Sequence, residues 1–202
     1  MSLLPRLRAI APSVHWEAAL PARVGASESP HAAIERIHRR LTIELDGVGE
    51  VVVLLNDESR VVDAEVVTAV LAAARSGTRR VKVVVARGSH PLPTPDSHLD
   101  ATFAGLSGEE RRSLSVEHHD ARRSPFVEVA GMPLHKTVAE GERVVAVGTV
   151  EPHYFAGWTG AHKTATIGVM GLEGIEANHE LALESGSRVL ALDGNPVFEG
   201  VA

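Results

Sequence analysis

The stretch VVVLLNDESRVVDAEVVTAVLAAAR, residues 51–75, places a short apolar run, a polar loop and a helical pattern one after another. The run 51–55 is rich in β-branched residues and has no polar position, which is typical of a strand buried on both faces. Residues 63–75 predict a helix, with Asp63 as its N-cap and Gly77 as its stop signal. A buried strand that leads through a loop into a helix indicates a layered α/β protein.

Two further apolar segments repeat this pattern along the chain. RVKVVVA (80–86) and RVVAVGTV (143–150) both predict buried strands, and long crossovers separate the three strands. Such strands predict a mainly parallel, layered, Rossmann-like α/β sheet with helices. Residues 13–24 and 126–136 predict edge strands or hairpins, the second of which turns at Gly131.

The composition is that of a globular protein and argues against several classes. Of the 202 residues, 44% are hydrophobic, and neither a repeat nor a low-complexity linker divides the chain, so we expect a single domain over residues 1–202. The net charge is −6 and the basic residues are scattered in pairs, which argues against nucleic-acid binding. The absence of cysteine excludes disulfides and thiolate metal sites. Without a signal-peptide pattern or a membrane-spanning run, we expect a cytoplasmic protein that does not associate with membranes.

Polar side chains follow each of the three predicted strands. Asp57 and Arg60 follow the first strand, His90 follows the second, and His153 follows the third. Because ligands of open α/β sheets bind outside the carboxyl ends of the strands, we expect these side chains to converge on one site. Taken singly, a loop histidine is more often solvated or structural than functional, and Arg60 is equally well explained by a surface ion pair with Asp57 or Glu58. The shared position is therefore what indicates a site.

The segment EPHYFAGWTGAHK, residues 151–163, concentrates residues that are rare elsewhere in the chain. Tyr154, Phe155 and Trp158 are three of the seven aromatic residues. The glycine-rich turn resembles a phosphate-binding turn but lacks the spacing of a P-loop. We expect the aromatic side chains either to wall a ligand pocket or to pack in the core.

Four motifs in this order resemble those of the nickel-dependent lactate racemase family. Residues 149–179 are similar to the family's histidine, glycine-rich lysine and asparagine–histidine segment. NDESR is similar to its Asp-x-(Thr/Ser)-Arg loop, RGSHPLPTPD to its Gly-(Thr/Ser)-His loop, and LDGNPVFE (192–199) to its Gly-Asn-Pro stretch. The chain departs from the family pattern at Val61 and Ile167, where the family has proline, and at Ala161, where it has a second glycine.

The resemblance implies an isomerase, a racemase or epimerase of a 2-hydroxy acid. It implies that a hydride passes from C2 of the substrate to a nickel pincer nucleotide, the nickel complex of pyridinium-3-thioamide-5-thiocarboxylic acid mononucleotide. His90 and His153 would be the two acid/base residues, one for each enantiomer, because histidine titrates near neutral pH. Arg60 would bind the substrate carboxylate, and Asp57 would orient Arg60 or contact the cofactor.

The same resemblance assigns residues to the cofactor. Lys163 would be its covalent anchor through a thioamide, and His179 would be the protein ligand of nickel. Gly157, Thr159 and Gly160 would contact the nucleotide phosphate. The expected partner is a small 2-hydroxycarboxylate whose identity is left open, and the chain would correspond to the family's N-terminal domain without its C-terminal domain.

Two other classes stay open at this point. One is a catalytically incomplete homologue that acts as a nucleotide-cofactor or carboxylate-binding module. The other is a zinc hydrolase, although NHELAL breaks the His-Glu-x-x-His pattern that such a site needs. The remaining histidines have no motif support and are expected to have structural roles: His15, His31, His38, His98, His118, His119, His135 and His162.

Overall fold

A computed structural model describes residues 29–78, 80–91 and 94–201. The described strands are β1 (Glu50–Asn56), β2 (Arg80–Ala86), β3 (Ser115–His118), β4 (Phe126–Val129), β5 (Met132–His135), β6 (Arg143–Ala146), β7 (Pro152–His153) and β8 (Gly157–Trp158). The described α-helices are α1 (Pro30–Glu44), α2 (Ala64–Gly77), α3 (Asp96–Thr102), α4 (Gly108–Arg112), α5 (Lys136–Ala139), α6 (Ala161–Ala165), α7 (Leu172–Glu180) and α8 (Pro196–Glu199). Short 3-10 helices lie at Ile167–Val169 and Leu181–Leu183.

The centre of the fold is a four-stranded parallel sheet in the order β3–β2–β1–β6. Side chains of β1 alternate between two apolar layers: Val51, Val53 and Leu55 pack with α2, whereas Val52 and Leu54 pack with α5 and the 3-10 helix at 167–169. Because both faces of β1 are covered, every position from 51 to 55 is apolar and buried. The predicted fold class, a layered parallel α/β sheet, is confirmed.

Helix α2 is the predicted helix, and its cap is the predicted one. The Asp63 carboxylate accepts a hydrogen bond from the Glu65 N–H at 2.8 Å. The helix extends beyond residue 75 and includes Gly77 as its last residue. A side chain at Gly77 would place its Cβ 2.9 Å from the carbonyl oxygen of Leu45, so this glycine allows α2 to end against the chain that leaves α1.

The third predicted strand, residues 143–150, is shorter than expected. Strand β6 ends at Ala146, four residues early. The chain that carries α6 crosses directly after this point, so a Cβ at Gly148 would lie 2.6 Å from the hydroxyl oxygen of Thr164. The close crossing ends the strand, which an apolar sequence pattern does not reveal.

The hairpin predicted over residues 126–136 is confirmed. Strands β4 and β5 pair antiparallel, with Phe126 opposite His135 and Val129 opposite Met132. The predicted turn residue Gly131 has a φ of 82°. The other predicted edge segment, residues 13–24, lies outside the described residues.

Several elements were not predicted, among them strand β3 and helix α1. Strand β3 is a four-residue edge strand in which three of the four residues are polar, so it has no clear strand pattern. Helix α1 has 15 residues and none of them is fully buried; Ile37 and Leu41 supply its partly buried contacts to the core. In the part of the chain that the structure describes, no helix is long and apolar enough to cross a membrane.

Two buried histidines lie beside the hairpin, as the structural role expected for them implies. His119 is fully buried and its Nε2 lies 3.0 Å from the carbonyl oxygen of Met170, while its ring meets that of His135 edge-on at 5.7 Å. The Nδ1 atoms of both rings have no hydrogen-bond partner among the described residues. Burial, and then the nearby His135, lower the pKa of His119 to about 4. His119 is therefore neutral in the folded protein at neutral pH.

We expect the free energy of unfolding to fall as the pH is lowered from about 7 to about 4. An unfolded histidine titrates near pH 6.5, whereas folded His119 stays neutral down to about 4, so the unfolded state binds more protons in this window. His119 alone accounts for a loss of about 3 kcal/mol at the acid end. Urea denaturation across this pH range measures the effect. His119→Phe should reduce the slope of the unfolding free energy against pH. His31→Gln, at a side chain that is 81% exposed, should keep the slope of the unmodified protein. Equal slopes in His119→Phe and the unmodified protein would contradict the assignment.

Candidate active site

Asp57 and His90 form a hydrogen-bonded pair at the carboxyl edge of the sheet. Asp57 follows β1 directly and is buried, and its Oδ2 lies 2.5 Å from His90 Nδ1. Its other oxygen accepts from the N–H and the hydroxyl of Ser59, at 3.2 Å and 2.5 Å. Burial alone would raise the pKa of Asp57, but the hydrogen bonds from His90 and Ser59 hold it below its usual value. The carboxylate in turn raises the pKa of His90 and retains a proton on Nδ1, which leaves Nε2 to exchange a proton with a ligand.

Arg60 lies on the same loop as Asp57. Its Nε is buried and makes no hydrogen bond among the described residues, and it lies 3.7 Å from Glu151 Oε2. Only the backbone joins Arg60 to Asp57, whose carbonyl oxygen accepts from the Arg60 N–H at 3.2 Å. The Asp57 carboxylate thus orients His90 rather than Arg60. Arg60 keeps a donor for an anionic ligand.

His153 and Lys163 are in direct contact. Lys163 Nζ lies 3.3 Å from His153 Nε2, and the N–H of Ala156 donates to His153 Nδ1 at 3.1 Å. A neutral imidazole whose Nδ1 accepts a hydrogen bond carries its proton on Nε2. This Nε2–H therefore points at the Lys163 nitrogen, which can accept it only as the neutral amine. Burial, and then the charge of Arg60, lower the pKa of Lys163 to about 8, so an unprotonated nucleophilic amine is within reach near neutral pH.

The pKa values of the two site histidines shift in opposite directions. Burial lowers the pKa of His153 to about 4, and the positive charges of Lys163 and Arg60 and the nearby His179 add to this shift. His90 differs because the hydrogen bond that its Nδ1–H donates to Asp57 outweighs its burial and raises its pKa. Acid/base sites commonly contain two titratable groups whose surroundings move their pKa values apart.

Phe155 brings His179 to the same cluster. The Phe155 ring lies 4.5 Å from the His153 ring and 5.2 Å from the His179 ring, and Lys163 Nζ lies 5.7 Å from its centroid. His179 Nε2 is buried and has no partner among the described residues. Burial, and then the charge of Lys163, lower the pKa of His179, so the imidazole is neutral at neutral pH, the form that binds metals.

His179 is a single metal-ligand candidate rather than part of a protein cage. Within residues 29–78, 80–91 and 94–201, no group of three or more histidine, cysteine, aspartate or glutamate side chains is placed to hold a metal ion. A metal at His179 would therefore need ligands from a bound organic group. The zinc-hydrolase alternative, which needs three protein ligands, gains no support from the described residues.

The three aromatic residues of this segment divide between two roles. Tyr154 is 79% exposed and stacks on His153 with ring centroids 4.8 Å apart, so it covers one face of the imidazole. Phe155 lies among the site residues, as expected for a pocket wall. Trp158 instead donates its indole N–H to the carbonyl oxygen of Leu190 at 3.1 Å, a hydrogen bond that connects the 151–163 segment to the C-terminal segment. None of the three is fully buried in the core.

The residues predicted to contact phosphate also have structural roles. The Thr159 hydroxyl donates to a backbone carbonyl oxygen at 2.9 Å and accepts from the N–H of Glu151 at 3.1 Å. A Cβ at Gly157 would lie 1.8 Å from the carbonyl oxygen of Ala191, and its φ of 77° also favours glycine. Gly160, with a φ of 146°, directly precedes α6. Their contact with a phosphate stays a prediction.

A cavity of about 390 Å³ opens beside His90. The His90 loop, residues 88–91, forms one side, and the turn at 120–123 and Leu172 of α7 form the rest. The His90 side chain is 47% exposed, so a small molecule can reach the ring.

These features define a class: a Rossmann-like parallel α/β domain whose carboxyl edge carries an arginine, a lysine of lowered pKa, and two histidines whose pKa values shift in opposite directions. Within this class, the chain belongs to the lactate racemase N-terminal domain family, whose sequence model matches residues 12–190.

Two curated relatives and a solved structure agree with this membership. The chain is 28% identical to a lactate racemase from Thermoanaerobacterium thermosaccharolyticum over 79% of its own length and 39% of the relative. It is 25% identical to a lactate racemase from Lactiplantibacillus plantarum, over 66% of the chain and 33% of the relative. The lactate racemase apoprotein structure from T. thermosaccharolyticum superposes with a TM-score of 0.68 at 23% identity, over 83% of this chain and 45% of that one, and shows the shared fold. The chain thus spans about two-fifths or less of the curated relatives it matches.

Proposed function

We propose that the protein is a racemase or epimerase of a 2-hydroxy acid that works by proton-coupled hydride transfer with a nickel pincer nucleotide. The observation that carries this proposal is the contact between Lys163 and His153 at 3.3 Å, next to the unpartnered Nε2 of His179. Membership of the lactate racemase family supports the reaction type. The curated relatives extend well beyond the matched region, so we propose that catalysis also uses that further region.

The residues of the chain fit the cofactor that the resemblance implies. The lysine amine of lowered pKa suits a covalent anchor, and a buried neutral imidazole without a partner suits nickel. Lys163 would hold the organic group, His179 would bind the metal, and Gly157, Thr159 and Gly160 would lie along the phosphate. When bound, the group supplies the acceptor for the C2 hydride.

The remaining site residues would bind the substrate and move its proton. Arg60 would hold the carboxylate through its guanidinium donors. The hydroxyl proton would pass to Nε2 of His90 for one enantiomer, with Asp57 stabilising the imidazolium that forms. His153 would serve the other enantiomer from the opposite side, and it would first have to release its Nδ1 from the Ala156 N–H, because its Nε2 already carries a proton. Inversion at C2 would require the hydride to return to the opposite face of the 2-keto acid, and the histidine on that side would then return the hydroxyl proton that the other has taken.

Loading with cofactor and nickel tests this function. We expect the purified chain, incubated with the nickel pincer nucleotide, to retain about one nickel per chain and to gain cofactor absorbance, because one anchor and one metal ligand are present. His179→Ala should lose the nickel, and His31→Ala, an exposed histidine on α1, should keep it. Unmodified protein that takes up neither nickel nor the absorbing group would contradict the proposal.

A second candidate is a cofactor- or carboxylate-binding module without catalysis. The observation behind it is that Lys163, with its lowered pKa, and the unpartnered Nε2 of His179 would hold the cofactor whether or not turnover follows. Loaded protein distinguishes the two candidates when it is mixed with the C-terminal domain that the resemblance implies. Interconversion of D- and L-2-hydroxy acids supports the racemase, and retained cofactor without interconversion supports the binding module.

A further inference from the structure

Arg87 is a fully buried arginine to which neither the motifs nor the resemblance assigns a role. It directly follows β2, and its side chain is 0% exposed. A buried guanidinium is costly unless it is paired and hydrogen-bonded. Its Nη1 lies 3.3 Å from Glu58 Oε2 and donates to the Thr94 hydroxyl, and its Nη2 donates to the carbonyl oxygen of Pro91.

These contacts join two loops of the site. Pro91 and Thr94 lie on the chain that follows His90, whereas Glu58 lies next to Asp57. The Asp57–His90 hydrogen bond, at 2.5 Å, spans the same two loops. Arg87 therefore contacts both loops at once.

We propose that Arg87 is a positioning residue that keeps His90 in hydrogen-bond contact with Asp57. The proposal rests on the proposed function, since it gives His90 its importance as an acid/base residue. Arg87 does not itself exchange a proton. It acts by holding the His90 loop to the Asp57 loop, so that His90 Nδ1 stays on the carboxylate and Nε2 stays turned outward.

The direction in which the pKa of His90 changes without Arg87 distinguishes a positioning role from that of a simple buried charge. Asp57, Arg60 and Arg87 are the charged groups that act on His90. The hydrogen bond that His90 donates to Asp57 raises the pKa of His90, whereas the charge of Arg87 lowers it. Removing the Arg87 charge while the loops stay in place must therefore raise the pKa of His90. Removing Arg87 so that His90 leaves Asp57 must lower it.

An NMR titration of His90 in Arg87→Met, made in the 202-residue chain, tests the proposal. We expect the His90 pKa to move from above its ordinary value to that value, about 6.5, or below it. Arg75→Met is the matched control, because Arg75 also bonds a backbone carbonyl oxygen and a hydroxyl, those of Glu110 and Ser113, yet does not act on His90. This control should leave the His90 pKa unchanged. A raised or unchanged pKa in Arg87→Met would overturn the proposal.

A second variant serves if Arg87→Met does not fold. Thr94→Val keeps the shape of the buried side chain and every charge, but removes the hydroxyl that accepts from Arg87. A lower His90 pKa in Thr94→Val then has a geometric cause and supports the proposal, whereas an unchanged value overturns it. The titration needs neither cofactor nor turnover, so its failure is distinguishable from failure of the proposed function, which nickel and cofactor uptake test separately.

Discussion

Lys163→Met is expected to abolish covalent retention of the cofactor. Under the proposed function, the Lys163 amine condenses with a thiocarboxylic acid group of the free nucleotide to form the thioamide, and water is lost. Methionine preserves the length of the side chain without a nucleophile. The loaded unmodified protein should show a mass increment by intact-protein mass spectrometry, and the variant should show none. His179→Ala should keep the organic increment and lose nickel, because this residue binds the metal and not the nucleotide.

Two further measurements make the anchor test specific. Lys136→Met is the control, since Lys136 lies at the start of α5 with a side chain that is 52% exposed, and it should keep the full increment. The rate of attachment should rise with pH and level off above about 8, because burial and Arg60 lower the pKa of Lys163 to that value and only the unprotonated amine is nucleophilic. Full occupancy of the adduct in Lys163→Met would show that the anchor is a different residue.

The parts of the fold that the sequence predicts are those whose burial is complete. Strand β1 is apolar at each of residues 51–55 because helices cover both of its faces, so its pattern has a single interpretation. Strand β3 and helix α1 lie at the periphery and carry mixed patterns. The early end of β6 depends on the chain that crosses at Gly148, a contact between residues far apart in sequence.

The same division holds for the candidate site. The position of His90 and His153 after parallel strands predicts that both lie at one edge of the sheet. In the structure the charge of Arg60 acts on both rings, in agreement with that prediction. The sequence does not predict that Asp57 pairs with His90, nor that a backbone N–H from Ala156 meets His153. The opposite pKa shifts of the two histidines follow from those contacts and from burial, which residue type alone does not convey. Arg87 is visible in the sequence only as a charge that directly follows an apolar strand.

His90→Ala and His153→Ala are each expected to stop net interconversion of the enantiomers. One histidine takes the hydroxyl proton and the other returns it, so either direction needs both. The loss of a general base typically costs ~10²- to 10⁴-fold in rate. The assay uses cofactor-loaded protein together with the C-terminal domain that the resemblance implies, and follows D- and L-substrate by chiral chromatography. His31→Ala, on the exposed surface of α1, should keep the full rate.

A single turnover separates the two histidines, because each variant keeps the base for one enantiomer. Each should form 2-keto acid from one enantiomer, with opposite preferences, and the two yields should differ in pH dependence. In His153→Ala the remaining base is His90, whose pKa is raised by Asp57, so keto-acid formation should increase as the pH rises through that pKa and His90 loses its proton. In His90→Ala the remaining base is His153, which burial keeps neutral down to about pH 4, so formation should not change with pH around neutrality. Rapid-quench measurement of keto acid from each enantiomer between about pH 6 and pH 9 decides the matter. Equal loss for both enantiomers in both variants, or the same pH profile in both, would contradict the assignment of one base to each enantiomer.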